Sequence, residues 1–311
     1  MKPRKSIYAQ LHWIAILMVL SLFAGCAYLE TKQGEWIFNP VQGEWRGFRG
    51  QPAEFQEHWI PVGKHDEKLY AWWSPAAGSD APVLLYLHGA RWNLSGSVTR
   101  IPRWNRMGFS VLAIDYRGFG KSVANDGVPP SEQRANEDAE AAWDYLVKLS
   151  PQSKRFVFGH SLGGAMATHL ALKHPDAAGL ILEAPFTSVP DMIKVTRWGF
   201  LPILFLVTQT FDNIDRIDDV TVPILIAHGT TDEIVPFSMG EELFAAAKAP
   251  KRFFRAEGGS HHNLTANFFD EYKNAVYEHF KLNKAGAVPA ESAAALSSAI
   301  RANANIDAAL K

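Results

Sequence analysis

Short apolar runs recur through the middle of the chain, and each is followed by a stretch with helical spacing. Pro82–Leu87, Ser110–Ile114, Arg155–Phe158, Ala178–Leu182, Pro223–Ala227 and Arg252–Ala256 are too short for helices. They are rich in β-branched and aromatic residues and mostly apolar on both faces, the signature of strands buried in a parallel sheet. Helices are predicted between and after them at Ser95–Met107, Leu162–Lys173, Ser238–Lys248 and Ala266–Leu282. Another begins at an N-cap on Ser131 and places Ala135, Ala139, Ala142, Trp143, Leu146 and Val147 on one face. Earlier, Phe55–Val62 and Lys68–Trp73 flank a polar turn at Gly63–Glu67 and predict a strand pair. Strands alternating with helices predict an α/β fold, a doubly wound and mostly parallel sheet.

The alternation fails in four places. Met1–Cys26 begins with Lys2, Arg4 and Lys5 and continues into an apolar run, Trp13–Ala24, too short to span a bilayer comfortably. It ends Leu22-Phe23-Ala24-Gly25-Cys26, which resembles a bacterial lipoprotein signal with Cys26 as the lipidated residue. Phe23 departs from the usual Leu three places before that cysteine, and Ala27 rather than Asp follows it. The resemblance implies a lipid anchor on the periplasmic side of the outer membrane. Cys26 is the only cysteine, so no intrachain disulfide can form. Tyr28–Gly50 shows little periodicity and reads as a lead-in packed across the domain. Pro185–Val220 holds an apolar stretch, Met192–Phe211, including Trp198, Phe200, Leu201, Ile203, Leu204, Phe205 and Leu206. It reads either as a core helix broken at Pro202 or, preferred here, as a small cap over about 186–220. The Ala-rich tail, 285–311, carries no assigned function. The expected organisation is therefore a signal segment at 1–26, an α/β domain at 27–284 and a tail at 285–311.

Composition changes little in this picture. The 311 residues are 47% hydrophobic and 20% charged, with a formal net charge of −1. That balance gives no electrostatic case for a nucleic-acid partner.

Candidate chemistry gathers at the carboxyl ends of the predicted strands, where ligands bind in such sheets. Gly159-His160-Ser161-Leu162-Gly163 sits between a strand and a helix. A sharp strand-to-helix turn strains its pivot residue and needs small residues two before and two after it, which makes Ser161 the candidate nucleophile. A serine hydroxyl needs a base to take its proton, and the base needs an acid partner. Asp232 follows the Pro223–Ala227 strand, and His261 and His262 follow the Arg252–Ala256 strand, giving the order Ser, Asp, His. Glu183 is a second carboxylate at a strand end. Backbone N–H groups at Leu162 and Ala90 are the candidate oxyanion donors. His261 and His262 together raise the question of a metal, but no other ligand-type residue lies at suitable spacing in the sequence. His88, His160 and His228 read as structural hydrogen-bonders, and Asp115 and Arg117 as braces of their loop.

These motifs resemble those of α/β-hydrolases of the serine aminopeptidase and monoacylglycerol-lipase-like group. The residues that carry the resemblance are His88-Gly89, Asp115 through Ser122, Gly159 through Gly164, Glu183-Ala184-Pro185-Phe186, His228-Gly229 with Asp232 and Val235-Pro236, and Gly259-Ser260-His261. One departure is Ala90-Arg91 after His88-Gly89, where many relatives resemble His-Gly-Asn. The resemblance implies hydrolysis of an ester, thioester or amide of a small acyl substrate through an acyl-enzyme, with no cofactor. It also chooses His261 over His262 as the base. A peptidase of the serine aminopeptidase type, or a non-catalytic envelope binding protein on the same fold, fits the same motifs.

Overall fold

Eight strands lie in the order β1-β2-β4-β3-β5-β6-β7-β8 in the computed structural model, which describes residues 4–282 apart from 65, 79, 126, 197–198 and 201–203. They are β1 (Gln56–Pro61), β2 (Lys68–Ser74), β3 (Val83–Leu87), β4 (Ser110–Ile114), β5 (Arg155–His160), β6 (Gly179–Glu183), β7 (Ile224–Gly229) and β8 (Lys251–Ala256). β1 and β2 form the predicted antiparallel pair, and β2 also runs antiparallel to β4. All other neighbours are parallel. The register aligns Leu87 with Gly159, Gly159 with Leu182, His160 with Glu183, Glu183 with Ala227, and Gly229 with Ala256. The candidate residues after these strands thus share one edge of the sheet.

Side chains alternate across the sheet and build two cores. Leu85, Leu87, Val157, Leu180, Leu182, Ile224 and Ile226 face one side. They pack against α3 (Glu132–Leu149) and α4 (Gly163–Lys173). Leu84, Tyr86, Phe156, Phe158, Ile181 and Leu225 face the other side, against α2 (Ile101–Arg106) and the C-terminal helix. In α3, Ala135, Ala139, Ala142, Trp143 and Leu146 are buried as the pattern predicts, and Ser131 Oγ accepts the Arg134 N–H at 3.2 Å.

Four elements differ from their prediction. The helix expected from Ser95 is confined to α2, because Pro102 has no N–H to donate and suits only a helix's first turn. The helix expected over 266–282 is two pieces, α8 (Leu264–Asn267) and α9 (Phe269–Phe280). The lead-in is not irregular at its start, since α1 spans Arg4–Phe38 and runs through the expected processing point. The apolar side chains of α1 at Leu11, Trp13, Ile14, Ile16, Leu17, Met18, Val19 and Leu20 are exposed, while Gln33 and Phe38 are buried. No helix among the described residues is long and apolar enough to cross a membrane. Finally, the 186–220 region holds α5 (Val189–Lys194), a 3₁₀ turn at Leu204–Leu206 and α6 (Ile214–Ile217). Phe200 and Phe205 are 79% and 80% exposed, which excludes the broken core helix as their setting. Trp198, Leu201, Ile203, Lys2, the 285–311 tail and the Cys26 side chain lie outside the described residues. Helix α7 (Phe237–Ala246) begins one residue before the predicted span and ends two residues short of it.

Candidate active site

Ser161 occupies the pivot between β5 and α4 with φ = 52°. A non-glycine residue there costs about 1–3 kcal/mol and persists only where its surroundings hold it. They do: the Ser161 N–H donates to Glu183 O at 2.9 Å, extending the β5–β6 pairing one residue past the strand. The flanking glycines are obligatory. A Cβ on Gly159 would lie 2.3 Å from Gly163 O, and one on Gly163 would lie 2.2 Å from Leu87 O. The turn after β3 presses on the same point, since a Cβ on Gly89 would fall 3.2 Å from Ser161 Cβ. Among the described residues the Ser161 hydroxyl makes no hydrogen bond and so stays free to rotate.

Asp232 and His261 are brought together. His261 Nδ1 lies 2.7 Å from Asp232 Oδ2. Oδ1 accepts the Ile234 and Val235 N–H groups at 2.9 Å each, and His228 Nε2 stands 3.2 Å from Oδ2. Burial pushes the Asp232 carboxyl up, but hydrogen bonds from His228 and His261 outweigh it and hold the carboxyl well below the usual carboxylate range. An ionised Asp232 requires the proton of His261 to sit on Nδ1, which leaves Nε2 as an acceptor. The turns that carry the two residues nest tightly. The Thr231 N–H donates to Gly259 O at 2.9 Å, and a Cβ on Gly229 would lie 2.2 Å from that same oxygen.

Glu183, the other carboxylate considered, is fully buried but turned to Arg100, whose Nη1 is 3.2 Å from its Oε1. Burial raises its pKa and Arg100 offsets this only in part. Arg100 Nη2 donates to His262 O at 2.7 Å, and His160 Nε2 donates to His261 O at 2.9 Å. Both carbonyls of the His261-His262 pair are thereby pinned. The His262 ring stacks on Trp92, with centroids 5.4 Å apart and planes at 20°. His262 therefore braces the turn.

The structure also adds His160 to this pair. Ligand-type nitrogens of His160, His261 and His262 all lie within 4.8 Å of one another, a proximity the sequence spacing conceals. The Arg100 guanidinium bears on both His160 and His262 and repels a cation there. Burial, the Arg100 guanidinium and His261 push His160 well below the usual imidazole value, and burial with Arg100 pushes His262 down to about 3. His160 Nε2 and His261 Nδ1 are already engaged.

The Leu162 N–H lies ahead of the first residue of α4, and the Ala90 N–H lies in the turn after β3. Neither has a partner among the described residues, as donors awaiting an oxyanion require. His88 stands 3.5 Å from Asp115, and Arg117 binds Asp138, Glu67 and Glu137 at 2.5, 2.9 and 2.8 Å. Both are structural, as expected. Arg100 and the His228–Asp232 contact went unread in the sequence. Arg100 carries no motif, whereas His228 sits four residues before Asp232 and could have been paired with it.

Residues 78–215 match the family Serine aminopeptidase, S33. The chain is 36% identical over 199 residues to "Uncharacterized protein Rv2307c" of Mycobacterium tuberculosis, covering 63% of this chain and 69% of that protein. It is 31% identical over 238 residues to lysophosphatidylserine lipase ABHD12 of Rattus norvegicus, covering 70% of this chain and 56% of the lipase. Among solved structures, the Pyrococcus furiosus esterase Pf2001 superposes with a TM-score of 0.60 at 21% identity, over 78% of this chain and 97% of that one. Est1E from Butyrivibrio proteoclasticus, with ferulic acid bound, superposes with a TM-score of 0.58 at 20% identity, over 72% and 100%. Together with the parallel sheet and its strained serine turn, these matches establish that the chain belongs to the α/β-hydrolase superfamily.

Proposed function

We propose that this hydrolase is a carboxylesterase with lipase-like preference for apolar acyl groups, acting through Ser161, His261 and Asp232. The carrying observation is the 2.7 Å Asp232–His261 contact at the same sheet edge as Ser161 at φ = 52°. His261 Nε2 takes the Ser161 proton as Oγ bonds to the acyl carbon, and the carbonyl electrons move to oxygen. The Ala90 and Leu162 N–H groups receive that oxyanion. Its collapse breaks the bond to the leaving group, which leaves with the proton from His261, and water then repeats the sequence on the acyl-enzyme. Asp232 stays ionised and orients the imidazole throughout. The chemistry needs no metal or cofactor.

The name of the matched family favours a second reading, a peptidase acting on free N-termini. That reading needs an acidic group to receive an ammonium beside the nucleophile. Asp232 and Glu183 are both already engaged, which favours the esterase. Exposed Phe200 and Phe205 supply apolar surface for a lipid-like substrate. Lipidation of Cys26 on the periplasmic side of the outer membrane would place the enzyme at such substrates. Fluorophosphonate labelling and turnover of p-nitrophenyl esters against aminoacyl amides test the proposal. Ser161→Ala is expected to abolish labelling and to lower ester turnover about 10⁴- to 10⁶-fold. A mutant that labels fully, or a wild type that turns over only amides, would overturn it.

A further inference from the structure

Helix α1 does not end in solvent. Its final turns are built into the turn that carries the Ala90 amide. The last carbonyls of a helix have no partner within it. Asn39 takes the left-handed C-terminal position at φ = 42°, and its N–H returns to Glu35 O at 2.8 Å. The Phe38 carbonyl is satisfied instead from across the molecule, by the N–H of Arg91 at 2.8 Å. Arg91 is itself held at φ = 58°, a conformation that a side chain other than glycine's adopts only under constraint.

We infer that the Gln33–Trp45 segment is a positioning element of the active site, whose Phe38 carbonyl fixes the Arg91 amide and thereby aims the neighbouring Ala90 N–H at the oxyanion. This rests on the serine-hydrolase reading given above. The peptide plane of the Arg91 N–H is joined directly to the Ala90 Cα. Once that plane is fixed, only the φ and ψ of Ala90 remain to set the direction of its own N–H. On the other side, Gly89 is wedged against His160 and Ser161. The turn is thus gripped at both ends, with an unpartnered amide between.

The grip is anchored. The Phe38 ring is fully buried, with centroids 6.0 Å from Phe119 and 5.5 Å from Phe211. One turn earlier, Gln33 bonds Leu206 O at 2.8 Å and the Thr208 N–H at 2.9 Å. Beyond the helix, buried Asn93 donates to Val41 O at 3.3 Å and to Gly43 O at 3.0 Å, and Ser95 Oγ accepts the Trp45 N–H at 2.6 Å. The segment therefore follows the turn along its length, from Arg91 to Ser95.

The test uses the full chain, with turnover normalised to sites titrated by a fluorophosphonate. A merely structural role would lower melting temperature and active fraction but leave each remaining site normal. Misaiming an oxyanion donor lowers kcat per site and weakens an aryl trifluoromethyl ketone, which forms the same tetrahedral oxyanion, while KM barely moves. Phe38→Ala is expected to cut per-site kcat about tenfold and to weaken the ketone by a similar factor, with Phe38→Leu restoring most of both. If Phe38→Ala does not fold, Gln33→Ala, which leaves no ring-sized cavity, carries the test with an expected loss of about threefold. Per-site kcat and ketone affinity equal to wild type in the folded variant would overturn the inference while leaving the hydrolase reading intact. A wild type that neither labels nor turns over would overturn both.

Discussion

Asp232 is held by two backbone amides and two imidazoles, so its charge is supported even when one partner goes. Asp232→Asn keeps the shape but lets His261 adopt the wrong tautomer, and kcat is expected to fall about 10³- to 10⁴-fold. Glu183→Gln leaves the Asp232–His261 contact and the Arg100–His262 bond in place, so a loss of less than about tenfold is expected. Equal losses in the two variants would move the acid role to Glu183. Protonation supplies a second test. His160 and His262 are neutral in the fold, their pKa values depressed by burial and by Arg100, yet an unfolded chain protonates both below about 6.5. The unfolded state then binds more protons at these two groups, so they withdraw stability as pH drops from 7 towards 5, against an opposing gain at Asp138, whose carboxyl burial pushes up to about 6. Thermal melts should show this, and His262→Gln should flatten the slope without abolishing it, because His160 remains. At this scale the candidate serine, carboxylate and imidazole were legible from strand ends and chain order. Arg100 was not, because nothing local marks a side chain that reaches 162 residues along the chain to the His262 carbonyl.

Elements were readable where one face decides their fate. The strands and α3 match their patterns because burial demands an alternation or a stripe. The end of α1 escaped because it carries no apolar stripe, and its order comes from the single ring of Phe38 together with Gln33 and a carbonyl, which hydrophobic patterning cannot register. The β5–α4 junction gives a sharp prediction for this scale. Gly159→Ala puts a methyl into backbone at 2.3 Å and should destabilise the protein by about 3 kcal/mol, with loss of activity. Gly164, three residues past the pivot, has room: a Cβ there would meet Leu182 and Pro185 at 3.6 and 3.7 Å. Gly164→Ala should be neutral or stabilising by up to about 1 kcal/mol, since alanine is the better helix former. Chemical denaturation of the two variants measures the contrast, and similar losses in both would contradict the packing described here.

For the whole molecule, the arrangement of layers followed from the alternation of strands and helices, whereas the 186–220 region, read by preference as a cap, stayed open between core and surface. An apolar run such as Met192–Phe211 has the same composition whether it is core or surface, and only the exposure of Phe200 and Phe205 separates the two. Phe200→Ala should therefore leave the melting temperature unchanged. If the run binds acyl chains, the same variant should narrow the preference for longer p-nitrophenyl esters, each lost methylene contact being worth up to about 0.8 kcal/mol. A lowered melting temperature with unaltered chain-length preference would contradict this use of the cap. The strand order has one more consequence, for biosynthesis. The candidate nucleophile sits after β5, near the middle of the sheet, but the candidate base sits after β8, the edge strand completed last. A chain emerging from the ribosome completes β3–β6 and the Ser161 turn while His261, the proposed base, is still to be made. The proposed triad is therefore incomplete until β8 has docked and the turn carrying His261 has closed on Asp232.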